Sequence, residues 1–352
     1  MSLKDTDRVD MPVTTWIGTS NTGYAPLAME EVRRSIDGAA VRILAPAETF
    51  IIESPLEREQ TLRQLQLQPP VFLRHIQPID GSLNLTETQE SEVLPWLARI
   101  VGQAQELLRG KCTAIHVRRA EGCAYPYSVF DTKTSLDGVL RDIGATADQR
   151  SPEIIVSIYA VKEQLYVGIG TPNELMSDWP GGAIRFQREE EQISRAKFKL
   201  LEAERAFGLD YTQYREALDI GAAPGGWTSL LLERGVSVTA IDPGAMHPSL
   251  RNHPKLTYLK RNASEVKFKP NTFDLLVCDM SWSPMQMVKL VLDLNESLTY
   301  GATAIVTIKL MHRKPLQTIR DVIAKLESAF IVHRAKQLFH NREEITLFMT
   351  KQ

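Results

Sequence analysis

In the C-terminal part of this sequence, charged residues stand where apolar segments end. Asp279 follows the apolar segment 273–278, and Lys309 ends a segment that is rich in β-branched residues. A lysine is seldom fully buried unless it is paired, so these positions favour either a structural salt bridge or an active site. Glu344, which begins a later apolar strand, and Lys199, on a predicted helix, are candidates for the same cluster. A lysine beside another cation in a partly desolvated cleft can act as a general base, so this set favours proton transfer.

The segment 217–228, ALDIGAAPGGWT, predicts a buried strand, a glycine-rich turn and a helix that begins at Trp227. Such a turn is typical of a nucleotide cofactor site, although a tight turn in any α/β protein can look similar. Asp242 lies about twenty residues further on, where an acidic side chain can bind ribose hydroxyls; the alternative is a turn aspartate before Pro243. The three glycine positions of a dinucleotide fingerprint are held by Gly221, Ala223 and Gly226. The alanine disfavours a nicotinamide cofactor but leaves it open.

The elements that must position these residues alternate between strands and helices from residue 193 onward. Strands are predicted at 217–220, 236–241, 256–259, 273–278, 303–310, 331–337 and 344–350, and helices at 193–207, 227–234, 285–298 and 316–330. This alternation predicts an α/β domain with a parallel sheet, whose ligands lie beyond the carboxyl ends of the strands. Only residues 338–343 separate the last two strands, so these are expected to form an antiparallel hairpin.

Two smaller α+β units are predicted before this sheet. Residues 12–80 follow the order βαββαβ of a ferredoxin-like fold, with strands at 13–18, 41–46, 49–54 and 71–76 and helices at 25–36 and 56–67. After a polar linker at 80–92, helices are predicted at 93–108 and 127–143, and strands at 112–119, 153–160 and 164–170. Gly144 is the expected stop of the second helix. With a Pro/Gly-rich boundary at 173–182, the predicted domains are residues 1–90, 91–180 and 181–352.

Composition and charge are those of an ordinary globular protein. The net charge is −2 over 352 residues, but by count it is −6 over residues 1–92, −1 over 93–180 and +5 over 181–352, so an anionic partner would favour the last part. The three cysteines lack metal-ligand or disulfide spacing, which predicts reduced thiols in a cytoplasmic protein without a metal site. The polar, acidic N-terminus and the lack of long apolar segments predict neither export nor a membrane partner. No feature of the sequence sets an oligomeric state.

Five segments in the C-terminal part resemble the FtsJ-type ribose 2′-O-methyltransferases, namely ISRAKFKLLEA, DIGAAPGGWT, VCDM, IKL and REEITLF. The resemblance implies a Rossmann-like sheet with a terminal antiparallel hairpin, S-adenosylmethionine as cofactor, and a catalytic tetrad of Lys199, Asp279, Lys309 and Glu344. Glu343 competes for the last position, and Glu344 is preferred because it directly precedes the alternating strand 345–348. The expected cofactor-binding residues are Asp219, Gly221, Ala222, Pro224, Gly225, Gly226, Trp227, Asp242, Asn262 and Asp279. Asn262 stands where the family has an aspartate that reads the adenine.

The sequence is similar to one branch of that family in particular, the RlmM-type methyltransferases of a cytidine in large-subunit (23S) ribosomal RNA. That branch has a ferredoxin-like domain and a THUMP RNA-binding domain before the methyltransferase, and residues 150–170 are similar to the closing hairpin of THUMP domains. The resemblance implies methyl transfer to a ribose 2′-hydroxyl, with Lys309 as the base and with Asp279 and Glu344 holding the lysines. A transfer-RNA 2′-O-methyltransferase and a THUMP RNA-binding protein with an inactive methyltransferase domain stay open as alternatives.

Overall fold

The structure is a computed structural model that describes residues 14–187, 192–310 and 314–352. Val13, the first residue of the first predicted strand, lies outside this part. The chain divides into two compact units, Met1–Ile184 and Arg185–Gln352. Within the described part, none of the helices has the length and apolar character that crossing a membrane would require.

The first unit begins with an antiparallel sheet of four strands and two helices. In chain order the elements are β1 (Thr14–Thr19), α1 (Ala25–Ser35), β2 (Ala40–Ala45), β3 (Thr49–Ser54), α2 (Arg58–Leu67) and β4 (His75–Pro78). The strand order is β2-β3-β1-β4. β4 begins later than the predicted 71–76 because the amides of Val71 and Phe72 donate to the carboxylate of Glu31, at 2.9 and 2.8 Å, and not to a strand.

A second sheet of five strands completes the first unit. Its elements are β5 (Gly81–Asn84), α3 (Glu90–Gln103), α4 (Gln105–Leu108), β6 (Cys112–Arg119), α5 (Val129–Ile143), β7 (Thr146–Ala147), β8 (Ile154–Val161) and β9 (Gln164–Gly170). The order is β5-β9-β8-β6-β7, and β6 runs parallel to both β7 and β8. β5 lies in the predicted linker, where the segment GSLN shows no apolar alternation; its pairing with β9 makes it a strand. Gly144 ends α5 with a left-handed φ of 85°, as predicted.

A buried polar layer lies between the two sheets of this unit. The Gln77 side chain on β4 donates to the Ser157 carbonyl at 3.1 Å and accepts from the Ser157 hydroxyl at 2.8 Å. His75, two residues before Gln77, and His116 on β6 are also buried. Burial lowers the pKa of His116 to about 4 and that of His75 well below the ordinary histidine value, and nearby positive charges act in the same direction. Both imidazoles are therefore neutral in the folded protein at pH 7.

The second unit is one sheet of seven strands, and in its described residues three of the six connections between strands carry an α-helix. Its elements are α6 (Lys197–Ala206), β10 (Glu216–Ile220), α7 (Gly226–Glu233), β11 (Ser237–Ile241), β12 (Leu256–Leu259), β13 (Phe273–Cys278), α8 (Pro284–Asp293), β14 (Leu298–Lys309), α9 (Pro315–Leu326), β15 (Phe330–Lys336) and β16 (Glu344–Lys351). The order is β12-β11-β10-β13-β14-β16-β15. The first five of these strands are parallel, and β16 is antiparallel to both neighbours, as predicted for the terminal hairpin.

The parallel strands of the second unit are apolar in sequence because their side chains are buried in its core. Buried side chains of β10, β11 and β13 pack with those of α6 and α7 in one cluster. α8 ends earlier than the predicted 285–298, because residues 295–297 form a short 3-10 turn and β14 already begins at Leu298, opposite Phe273. Since β10 to β14 run in one direction, their carboxyl ends meet at a single edge of the sheet.

Candidate active site

The glycine turn at the end of β10 lies directly against the chain that follows β13. Gly221 and Gly225 have left-handed φ values of 78° and 118°. A Cβ atom at Gly221 would lie 2.5 Å from Met280 Cγ and 3.1 Å from the Asp279 carbonyl oxygen, so this position requires glycine. The other predicted turn residues are Ala222, Gly225 and Gly226, which are buried, and Pro224, which is exposed. The turn and Asp279 are therefore neighbours at the carboxyl edge.

Asp242 stands at the end of β11 and holds the glycine turn in place. Its Oδ2 accepts from the Ala223 amide at 3.2 Å, and its Oδ1 accepts from the Gly244 amide at 2.6 Å. The carboxylate is half-buried, and a carboxylate offers about four acceptor positions, so two remain for ribose hydroxyls. The predicted turn role and the predicted cofactor role are thus compatible at this residue.

Two residues predicted to bind the cofactor turn into the protein instead. Asp219 is 1% exposed and accepts from the Thr228 hydroxyl at 2.6 Å, and burial raises its pKa to about 7. Trp227 is 3% exposed, and its indole N–H donates to the Ala196 carbonyl at 2.8 Å. Their side chains join β10 to α7 and α7 to the segment before α6, so they support the turn from within the protein.

Asn262 follows β12 on the surface. Its side-chain amide donates to Glu265 Oε1 at 2.8 Å, within the 3-10 turn Ala263–Glu265. The side-chain Oδ1 of Asn262 is the acceptor of this amide group, so it is the atom that could accept a hydrogen bond from an adenine amino group.

Three of the four predicted catalytic residues form one ion-pair network. Lys199 on α6 donates to both Asp279 oxygens, at 3.2 and 3.1 Å, and lies 2.8 Å from Glu344 Oε1. Thr307 on β14 also joins this hydrogen-bond network, because its hydroxyl donates to Asp279 Oδ1 at 2.8 Å. Thr307 was not predicted, although its spacing of two residues from Lys309 places both on one face of the strand.

Lys309 stands opposite Glu344 in the antiparallel pairing of β14 with β16. Both residues line a cleft of about 430 Å³, together with Lys199, Asp279, Met280, Ser281, Thr307, Arg342 and Glu343. Glu343 is exposed, whereas Glu344 is half-buried and paired with Lys199. This difference supports Glu344 over Glu343 as the fourth member of the predicted set.

The electrostatics of the cleft fix the protonation state of Lys199. Burial by itself lowers the pKa of this lysine, but the charges and hydrogen bonds of Asp279 and Glu344 together raise it above the ordinary lysine value. Lys199 therefore keeps its proton at neutral pH. Cys278, the neighbour of Asp279, is buried in the sheet 3.5 Å from the Met287 sulfur, and burial raises its pKa well above the ordinary thiol value. A thiolate nucleophile at this position is thus disfavoured.

Residues 192–339 match the family model described as FtsJ-like methyltransferase. The chain is similar to Ribosomal RNA large subunit methyltransferase M of Halorhodospira halophila, with 38% identity over 52% of this chain and 53% of the relative. The protein of the same name from Laribacter hongkongensis is 32% identical over 54% of this chain and 56% of the relative. The matches thus span about half the length of these relatives.

Among solved structures, TrmN from Thermus thermophilus is similar to this chain with 14% sequence identity and a TM-score of 0.39. The match covers 96% of this chain and 99% of TrmN.

Proposed function

We propose that this chain, which carries an FtsJ-like methyltransferase domain, transfers a methyl group from S-adenosylmethionine to a ribose 2′-hydroxyl of 23S ribosomal RNA. The observation that carries the proposal is the network of Lys199, Asp279 and Glu344 beside Lys309, in a cleft next to the glycine turn. The similarity to ribosomal RNA methyltransferases supports the substrate. An enzyme acting on ribosomal RNA would work in the cytoplasm.

The carboxyl edge of the sheet fits S-adenosylmethionine. Asp242 retains acceptor positions for the ribose, and the exposed Asn262 carbonyl is available for the adenine. The turn at Gly221 brings the main chain of the cofactor cradle against Asp279, which leads directly into the cleft. When bound, S-adenosylmethionine supplies an electrophilic methyl group on a sulfonium.

The side chains of the cleft have distinct tasks in this proposal. Lys199 stays protonated and, held by two carboxylates, offers a fixed positive charge beside the substrate oxygen. Lys309 would take the proton of the 2′-hydroxyl as that oxygen accepts the methyl group, and the bond between the methyl group and the sulfonium sulfur would break to leave a neutral thioether. Thr307 and Lys199 fix the Asp279 carboxylate from two sides, so the charges are arranged before the substrate binds. Such positioning accounts for a large part of the rate of a two-substrate transfer.

The N-terminal unit is proposed to contribute a ferredoxin-like domain, residues 1–90, and a THUMP-like RNA-binding domain, residues 91–180, before the methyltransferase domain, residues 181–352. The order β2-β3-β1-β4 with the sequence βαββαβ supports the first assignment as far as the end of β4 at Pro78, because β5 already pairs in the second sheet. The hairpin of β8 and β9 beside the parallel strand β6 supports the second, as do the residues 150–170 that resemble THUMP domains. RNA is the proposed partner of this unit.

A labelling experiment tests the proposal. With a labelled methyl group on S-adenosylmethionine, the purified chain is expected to label an unmodified 23S ribosomal RNA transcript and not transfer RNA. Labelling of transfer RNA alone would replace the proposed substrate. Binding of S-adenosylmethionine and RNA without any labelling would indicate an RNA-binding protein in place of an enzyme.

A further inference from the structure

Glu202 on α6 is a buried carboxylate outside the cleft. The residue is 6% exposed, and its carboxylate accepts from the Phe339 amide at 2.7 Å, from the His340 amide at 2.9 Å and from His340 Nδ1 at 2.8 Å. A buried carboxylate is costly unless its oxygens are satisfied by hydrogen bonds. The three donors belong to the turn between β15 and β16, so Glu202 fixes that turn against α6.

The same turn leads into the strand that carries Glu344. Asn341 closes the turn, because its Oδ1 accepts from the Leu338 amide at 2.8 Å and from the Thr346 hydroxyl on β16 at 3.0 Å. The His340 ring packs against Phe198 of α6, with ring centroids 5.3 Å apart. Little freedom is therefore left between the Glu202 contact and the start of β16.

Lys199 precedes Glu202 by three residues on the helix, and this spacing places the two side chains on one face. α6 thus holds the hairpin at two places: Glu202 holds the turn, and Lys199 binds Glu344 in the cleft at 2.8 Å. We infer that Glu202 is a positioning residue, which sets the separation of Lys199 and Glu344 through the turn at residues 339–340. This inference rests on the proposed function and adds a residue to its site.

The test compares Glu202→Ala with a matched variant on the same helix. Glu204→Ala removes a carboxylate that binds Arg234 at 2.8 Å and accepts from the Tyr211 amide at 3.4 Å, both away from the turn at residues 339–340. Displacement of a catalytic group by about 1 Å can cost roughly a hundredfold in rate. Glu202→Ala is therefore expected to lower kcat by about 10- to 100-fold at an unchanged dissociation constant for S-adenosylmethionine, beyond any reduction in Glu204→Ala. Glu202→Gln, which keeps one acceptor oxygen, should have a kcat between those of Glu202→Ala and Glu204→Ala. It replaces Glu202→Ala in the test if the alanine variant does not fold.

A second measurement separates this inference from the proposed function, since it needs no methyl transfer. The pKa of the Lys199 amine can be measured by NMR on a sample with labelled lysine side chains, and the Lys199→Arg variant identifies its signal. The charged side chains that line the cleft with Lys199 are Asp279, Lys309, Arg342, Glu343 and Glu344. In Glu202→Ala the pKa of Lys199 should move down toward the ordinary lysine value, while Glu204→Ala leaves it in place. If Glu202→Ala changes kcat and the pKa of Lys199 no more than Glu204→Ala does, Glu202 is not a positioning residue.

Discussion

At the scale of single residues, the charges in the cleft hold one another in defined states. Lys199 is paired with two carboxylates that raise its pKa, so it is a fixed cation. In our proposal the base is Lys309, which lies opposite Glu344 in the same cleft. That Lys199, Asp279 and Glu344 lie close together could be predicted from the sequence. Asp279 and Glu344 stand at the same edge of the predicted sheet, and the helix that carries Lys199 can reach this edge. The inward direction of Asp219 could not, because both faces of a parallel sheet are buried and alternation no longer distinguishes them.

Asp242→Ala tests the cofactor site at this scale. Removal of the carboxylate takes away the acceptor for the Ala223 and Gly244 amides and, in our proposal, for the ribose. Binding of S-adenosylmethionine should weaken by about 1–3 kcal/mol, the cost of leaving such groups without partners. Isothermal titration calorimetry checks this, with the exposed Asp293→Ala as the control. Unchanged affinity would show that the ribose binds elsewhere.

At the scale of elements, the terminal hairpin and the parallel strands follow from short connections and apolar segments, and both were predictable. β5 was not, because GSLN has no apolar alternation and becomes a strand only through its pairing with β9. The start of β4 was also displaced, since Glu31 binds two amides of the predicted strand. Both differences depend on interactions with residues far away in the chain, and a local pattern does not contain that information.

The buried histidines between the two N-terminal sheets predict a pH dependence of stability. The unfolded chain binds a proton at His116 with a pKa of 6.5, whereas the folded value is about 4. The unfolded state therefore binds more protons between these values, and stability falls as the pH falls. Between pH 7 and pH 5 this residue should cost about 2 kcal/mol.

Urea unfolding at both pH values, with hydrogen exchange of the β6 amides, measures this decrease. His116→Gln should lose that much less stability between pH 7 and pH 5 than the natural chain, while the exposed His333→Gln should behave like the natural chain. An equal decrease in His116→Gln and the natural chain would contradict the assignment.

At the scale of the whole molecule, basic residues cluster on one edge of the seven-stranded sheet of the second unit. Residues 251–269 carry one acidic residue, Glu265, and six exposed basic residues, which are Arg251, Lys255, Lys260, Arg261, Lys267 and Lys269. They flank β12, which lies three strands from β13, or about 14 Å at the usual strand spacing. The positive charge of this edge therefore complements the negative charge of an RNA backbone.

Replacement of Lys260, Arg261, Lys267 and Lys269 by Gln should weaken RNA binding and leave S-adenosylmethionine binding unchanged. The slope of log affinity against log salt concentration should become shallower by about 0.7 for each phosphate that the variant no longer neutralises. Fluorescence anisotropy over a salt series measures both effects. Arg320→Gln with Lys325→Gln, on the exposed face of α9, is the control. If both variants show the same slope as the natural chain, RNA does not bind at this edge.

The position of the transferred methyl group tests the central claim most directly. The natural chain, S-adenosylmethionine and unmodified 23S ribosomal RNA are incubated, and the RNA is digested to nucleosides for mass spectrometry. The proposal predicts a methyl group on the ribose fragment, and at least about a hundredfold less of it with Lys309→Ala, the proposed base, at nearly unchanged cofactor affinity. A methyl group on the base fragment, or full activity of Lys309→Ala, would contradict the proposal.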